Sequence, residues 1–170
     1  QVGGSDGDED QLVGATILGC PTIETGKAFV LYQRANQLLL GQLACETGAL
    51  EKEIALGTHA SRGSLIRFSP VMASKAIVCP LPTGAFVGVD RQLSEVEWRD
   101  QGRNAPSQRY SRITKKKINR FAITPVTMSR FLAQTPDEVV GFDPSTGDRI
   151  WNRNTADSTH SALVASGQVI

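Results

Sequence analysis

The chain has 170 residues, of which 40% are apolar and 21% charged, and a formal net charge of +1. These values suit one globular domain, and the near-zero charge excludes nucleic acid or an anionic surface as a partner selected by global charge. No apolar run approaches the ~18 residues of a membrane helix, so no membrane span is expected.

The first segment, residues 1–16, is acidic and glycine-rich and reads as flexible. Asp6, Asp8 and Asp10 alternate as at the start of a calcium loop. Gln11 follows directly, and the loop's glycine and later bidentate glutamate do not appear at their spacing, so the tract reads as a solvated loop. No basic-then-apolar leader is visible, so no signal peptide is read from the sequence. Ser166–Ile170 reads as the middle of a hairpin, and both ends look cut.

From residue 17 onward, helical periodicity is almost missing; residues 33–40 could pass for one short helix. Short runs of β-branched, aromatic and aliphatic residues recur between turn residues. Ala28–Tyr32, Ala76–Cys79, Ala85–Val89 and Glu138–Phe142 are of this kind, separated by Thr25-Gly26, Thr47-Gly48, Pro82-Thr83-Gly84 and Pro144–Gly147. Five-residue strands at close spacing with Gly/Pro turns predict an all-β sandwich, barrel or propeller.

An internal repeat selects among these. Cys20-Pro21, Ser69-Pro70 and Thr124-Pro125 each open a unit, the prolines standing 49 and 55 residues apart. In each, a tight turn, an apolar strand, a third strand and a closing turn-plus-strand follow. Four strands per unit at roughly 40–50 residues is the pattern of a propeller blade, a small sheet that buries its faces only against neighbouring blades. The sequence therefore predicts antiparallel four-stranded blades at about 20–54, 69–99 and 124–151, with a next blade starting near 161. This is a partial propeller over residues 17–170, expected to need further blades or association.

Cys20, Cys45 and Cys79 form no CxxC pair, and His59 and His160 lie far from them, so no metal site is predicted. The cysteines read as small buried hydrophobes, with Cys20–Cys79 or Cys45–Cys79 bridges open in an exported protein. No G-x-S-x-G elbow places a serine for nucleophilic catalysis, and no catalytic residue is assigned.

The sharpest motif is Asp143-Pro144-Ser145-Thr146-Gly147-Asp148-Arg149-Ile150-Trp151, or D-x-x-T-G-x-x-x-W. Asp143 can accept hydrogen bonds from backbone amides of its own turn, Gly147 allows a positive φ, and Trp151 offers a flat ring for packing between blades. The motif recurs eroded 53 residues earlier, with Asp90 and Trp98 retained and Leu93-Ser94 in place of Thr-Gly. In the first unit Thr47-Gly48 is kept, while Ala44 and Lys52 stand at the Asp and Trp positions, so that blade is expected to lose both the turn carboxylate and the docking ring.

These residues resemble the tryptophan-docking repeat of quinoprotein-like (pyrroloquinoline-quinone-type) β-propellers, with Gly88 and Gly141 where that family usually has alanine. The resemblance implies that Asp143, Thr146, Gly147, Trp151, Asp90, Trp98, Thr47 and Gly48 are structural. It also implies one of two functions. Some members are scaffolds that bind protein partners, among them outer-membrane assembly lipoproteins. Others are dehydrogenases holding the quinone and Ca²⁺, which typically show vicinal cysteines and a Glu/Asn/Asp set that are not recognisable in this segment. The scaffold function is expected, with no cofactor in this segment and a periplasmic or secreted setting; a quinone-dependent oxidoreductase whose site lies elsewhere is the alternative.

The span 99–120 departs from the repeat and holds eight Lys/Arg against a single acid. A long loop between blades is a common docking place. Arg109, Arg112, Lys115, Lys116 and Lys117 are its candidates for binding an acidic protein partner. Tyr110 is its sole aromatic residue, which disfavours nucleic acid.

Overall fold

A computed structural model describes residues 12–58, 69–81, 85–100, 122–127, 130–134, 138–154, 164–165 and 168–169. Every regular element among them is a β-strand. The first sheet holds β1 (Ala15–Ile17), β2 (Thr22–Glu24), β3 (Lys27–Arg34), β4 (Gln37–Ala44) and β5 (Leu50–Thr58). The second holds β6 (Val71–Met72), β7 (Ala76–Pro80), β8 (Phe86–Asp90) and β9 (Val96–Asp100). The third holds β10 (Ala122–Thr127), β11 (Arg130–Gln134), β12 (Glu138–Phe142) and β13 (Arg149–Asn154). A hairpin of β14 (Val164–Ala165) and β15 (Gln168–Val169) follows.

Each sheet is an antiparallel meander in chain order. The first has five strands because its inner strand is split. β1 and β2 both pair with β3, Ile17 opposite Tyr32 and Thr22 opposite Phe29. Pro21, just before β2, has no N–H to donate to the ladder. Ala15 and Thr16, which the sequence reading placed in the flexible segment, are paired to Arg34 and Gln33. The 33–40 stretch is a hairpin rather than a helix: β3 ends at Arg34, Ala35 turns with φ 53°, and β4 starts at Gln37.

The three sheets are in phase residue by residue. Leu43–Leu50, Val89–Val96 and Phe142–Arg149 are facing pairs. One residue then bulges out (Glu51, Glu97, Ile150), and Gln42–Lys52, Gly88–Trp98 and Gly141–Trp151 face each other. A bulge repeated at one position in three sheets marks a shared plan.

The core lies between the sheets. Phe29, Leu31, Leu38, Leu40 and Leu56 of the first pack against Ile77, Cys79, Leu81, Val87, Val89 and Leu93 of the second. Ala73, Val78 and Phe86 of the second pack against Phe131, Ala133 and Phe142 of the third. The middle sheet thus has neighbours on both faces, which is why β7 and β8 are buried at every residue and read as continuous apolar runs. Its outermost strand β9 alternates partly buried with exposed residues.

Candidate functional site

The first and third closing turns share one backbone shape reached by different chemistry, and the second closes with its inner hydrogen bond and its positive φ one position earlier. In the third blade, Gly147 N–H donates to the Asp143 carbonyl (2.8 Å) and Asp143 N–H to that of Asp148 (2.9 Å). The Asp143 carboxylate accepts from Ser145 N–H at 2.8 Å, and Gly147 has φ 75°. The first blade has alanine at the aspartate position and keeps the same pair of bonds: Gly48 N–H to Ala44 (2.8 Å) and Ala44 N–H to Ala49 (2.9 Å), with Gly48 at φ 73°. Loss of the carboxylate has not opened that turn.

The second blade shows the converse. Without glycine, Leu93 takes the positive φ (56°), and Asp90 accepts from the amides of Gln92 (3.0 Å), Ser94 (2.6 Å) and Glu95 (2.7 Å) and from the Ser94 hydroxyl (2.9 Å). Burial opposes ionisation of Asp90, but these hydrogen bonds outweigh it and hold the carboxyl below its ordinary pKa.

Trp98 is the ring seated between two blades. It lies so flat over its own sheet that a Cβ at Gly88 would come within 2.1 Å of the indole. Its other side meets Gly147 of the next blade, where a Cβ would come within 2.6 Å. Its Nε1 donates to the Pro144 carbonyl (2.9 Å), and its edge meets Phe142 at 6.0 Å between centroids. Phe142 also stacks on Phe86 (5.8 Å) and leans against Phe131 (6.0 Å). Gly147 therefore serves twice, supplying the turn's φ and leaving room for a neighbour's ring.

At the corresponding place in the first blade, Lys52 Nζ donates to the Gln92 carbonyl of the second blade's turn (3.0 Å). The blade lacks the ring but keeps the bond across the seam. Gln42 takes the place of Gly88 and donates to Glu51 (2.6 Å). Leu93, in the receiving turn, joins the apolar core shared by the two sheets. Thr22 Oγ1 to the Pro70 carbonyl, Arg99 to the Leu56 carbonyl, and Arg91 to both Glu24 and the Ala73 carbonyl add further bonds near this seam.

Trp151 has the same pose over its own sheet, a Cβ at Gly141 falling 2.5 Å from the ring. It is 39% exposed, and the segment around 161, where the sequence expects the next blade that would cover it, lies largely outside the described residues.

The outer strand of the first blade carries a cluster the sequence did not reveal. Tyr32 donates its phenol to Glu53 (2.5 Å), Arg34 pairs with Glu53 (2.6 Å), and the guanidinium sits 5.9 Å from the Tyr32 ring centroid. Burial and the adjacent carboxylate push the Tyr32 hydroxyl's pKa up. The phenol's hydrogen bond, followed by Arg34, holds Glu53 below the usual carboxylate range. Arg34, Leu50, Glu51, Lys52 and Glu53 line an open groove of about 430 Å³. Tyr32 and Glu53 are 21 positions apart on different strands, a separation no local motif encodes.

Arg109, Arg112, Lys115, Lys116 and Lys117 lie outside the described residues, as do residues 1–11 and most of the segment around 161. The root of the basic insertion is described: Asp100, the last residue of β9, is gripped by Arg149 of the third blade at 3.0 and 3.3 Å.

Among the described residues no group of three or more His, Cys, Asp or Glu is placed to hold a metal ion. All three cysteines are unpaired. Cys79 is buried inside the core, with its thiol pKa pushed up by that burial, while Cys20 and Cys45 are exposed. Cys79 thus forms neither bridge left open above.

No protein-family model matches the chain, and no curated protein matches it. Among solved structures it is similar to BamB from Moraxella catarrhalis at 18% identity, with a TM-score of 0.57 over 81% of this chain and 37% of that one. A second similar structure is the WD40 domain of SCAP from fission yeast, at 10% identity and a TM-score of 0.40, over 91% of this chain and 39% of that domain. The chain spans well under half the length of either. The in-phase sheets and the first of these likenesses define the fold: the chain is a stretch of a β-propeller.

Proposed function

We propose that this chain is a protein-binding, non-catalytic part of a quinoprotein-like β-propeller that works in a periplasmic or otherwise exported setting and docks an acidic partner through its basic insertion. The observation that carries the reading is where that insertion is rooted. It leaves the second blade at Asp100, whose carboxylate is held by Arg149 of the third. The cationic segment therefore starts at a seam braced by two blades. Supporting this, the repeat's carboxylates are occupied by structure: Asp90 by four hydrogen bonds within its turn, Asp143 by Ser145 and Arg130. The non-catalytic members of the family it resembles serve as scaffolds of this kind.

Replacing Lys115, Lys116 and Lys117 together with serine tests the reading. Exposed charges contribute little to stability, so the urea midpoint should hold. Binding to an acidic polypeptide such as poly-glutamate should weaken, most at low ionic strength, where screening is least. Equal affinity of the altered and unaltered chains at low salt would refute the insertion as the docking element.

A further inference from the structure

The span 99–120 holds one acid among its eight cations, and that acid is Asp100. Its carboxylate lies against the third blade. Arg149 Nε and Nη2 donate to its two oxygens at 3.3 and 3.0 Å, the two-pronged fit of a guanidinium to a carboxylate. The two side chains are 20% and 19% exposed, so the pair is within reach of solvent.

Asp100 is held differently from the other acids near the seams. Asp90 accepts four hydrogen bonds within its own turn. Glu24 is bound by Arg91, which also holds the Ala73 carbonyl. Glu53 has two partners, Tyr32 and Arg34. Asp100 stands at the end of β9, and among the described residues its carboxylate has Arg149 alone. Release of one guanidinium therefore frees the whole carboxylate. The seam keeps its main contact when this happens, since two residues earlier Trp98 rests on Gly147 and donates to the Pro144 carbonyl. The acid beside Arg149 in sequence, Asp148, accepts from the Thr146 hydroxyl of its own turn at 2.8 Å.

We infer that Arg149 is a carboxylate-receiving site of the docking surface, filled by Asp100 until a glutamate or aspartate of the acidic partner takes its place. This inference rests on the acidic partner proposed above and extends its docking surface from the insertion onto the third blade. A guanidinium suits the task because its planar fork takes any carboxylate in the same geometry. Asp100 is then a built-in competitor: the partner must displace it, and its presence lowers the partner's affinity.

Binding of fluorescently labelled poly-glutamate at low ionic strength tests it. Asp100→Asn leaves a neutral amide against the guanidinium and should raise affinity about tenfold, the low end of the coupling between close charge pairs across interfaces. Glu97→Gln makes the same change of charge at the exposed bulge of the same strand and should raise it far less. Adding Arg149→Gln to Asp100→Asn should abolish the gain. An Asp100→Asn gain no larger than that of Glu97→Gln, or one that survives Arg149→Gln, overturns the inference. Urea midpoints check that each protein is folded, and Asp100→Ser takes the place of Asp100→Asn if the latter is not. The triple change of Lys115, Lys116 and Lys117 to serine separates this inference from the reading beneath it. If that change weakens binding while Asp100→Asn brings no gain, the role of Arg149 fails alone; if neither alters binding, both fail.

Discussion

Blades two and three meet through rings, with Trp98 lying across Phe142 and Phe142 between Phe86 and Phe131. Blades one and two meet through mostly aliphatic side chains, with Phe29 among them, topped by long polar ones: Lys52 to Gln92, Arg91 to Glu24, Arg99 to Leu56. The fold position is the same, as the shared register and bulge demonstrate. The difference lies in a pair of sites. A ring at position 98 needs a residue without Cβ at position 88; once the ring is replaced by lysine, position 42 is free to carry glutamine. The seam chemistry is thus set by coupled residues on facing strands, and the two solutions differ in cost. A tryptophan has two side-chain torsions to fix. A lysine loses about 1.5–2 kcal/mol of rotamer freedom when fully ordered, which offsets much of its one hydrogen bond.

The largest effect should come from removing the ring. Trp98→Ala empties the second seam and strands the Pro144 carbonyl, and should cost about 3 kcal/mol in urea unfolding. Gly88→Ala attacks the same contact from below. Its Cβ would meet the indole at 2.1 Å, so the ring must shift, at about 1–3 kcal/mol of overpacking. Combined, the two changes should cost much less than their sum, because without the ring the added methyl has nothing to strike. Strict additivity in this double-mutant cycle would mean that Trp98 does not rest on Gly88.

That coupling also marks what could be read from sequence. The blades were legible because strand period, turn glycines and the Asp/Trp spacing are local signals that recur in phase. Trp98 and Trp151 share a motif, but what receives each ring lies on a neighbouring blade, as Gly147 and the Pro144 carbonyl do for Trp98, and the motif does not state it. The bond from Lys52 was illegible because its acceptor is a backbone carbonyl 40 positions away, and carbonyls carry no sequence signature. The Tyr32–Glu53–Arg34 cluster was hidden likewise, its members being brought together by pairing across three strands.

Next in size is Asp90, whose four hydrogen bonds stand in for a missing turn glycine. Asp90→Ala should cost about 1–3 kcal/mol by removing the charged acceptor shared by three turn amides. Ala44 shows that a turn with glycine at its fifth position needs no such carboxylate. The pH dependence has a definite sign. The folded-state pKa is lowered, so the contribution of Asp90 is present above the ordinary aspartate value near 3.9 and is lost as pH falls through the folded-state value. A urea-midpoint profile should therefore decline less steeply on acidification for Asp90→Asn than for the unaltered chain. Parallel profiles would assign the acid sensitivity to other carboxylates, with Glu53 as the next candidate because its pKa is lowered too.

The smallest effect probes the first seam. Lys52→Ala removes one exposed bond and releases a flexible side chain, so it should change stability by no more than about 1 kcal/mol. The informative substitution is the one that imitates the second seam. Lys52→Trp alone should destabilise, because the ring would have to lie where Gln42 has its side chain and then meet Leu93, which already fills the receiving turn. Gln42→Gly clears the floor and Ser94→Gly restores the residue that seats a ring in the third blade. The triple change should be more stable than Lys52→Trp by an amount that the two glycine changes do not produce in the unaltered chain, where each only weakens a strand or turn. If Lys52→Trp is tolerated with Gln42 in place, the two seams differ by history of substitution alone, and the facing-pair rule drawn from Gly88 and Trp98 does not govern how these blades dock.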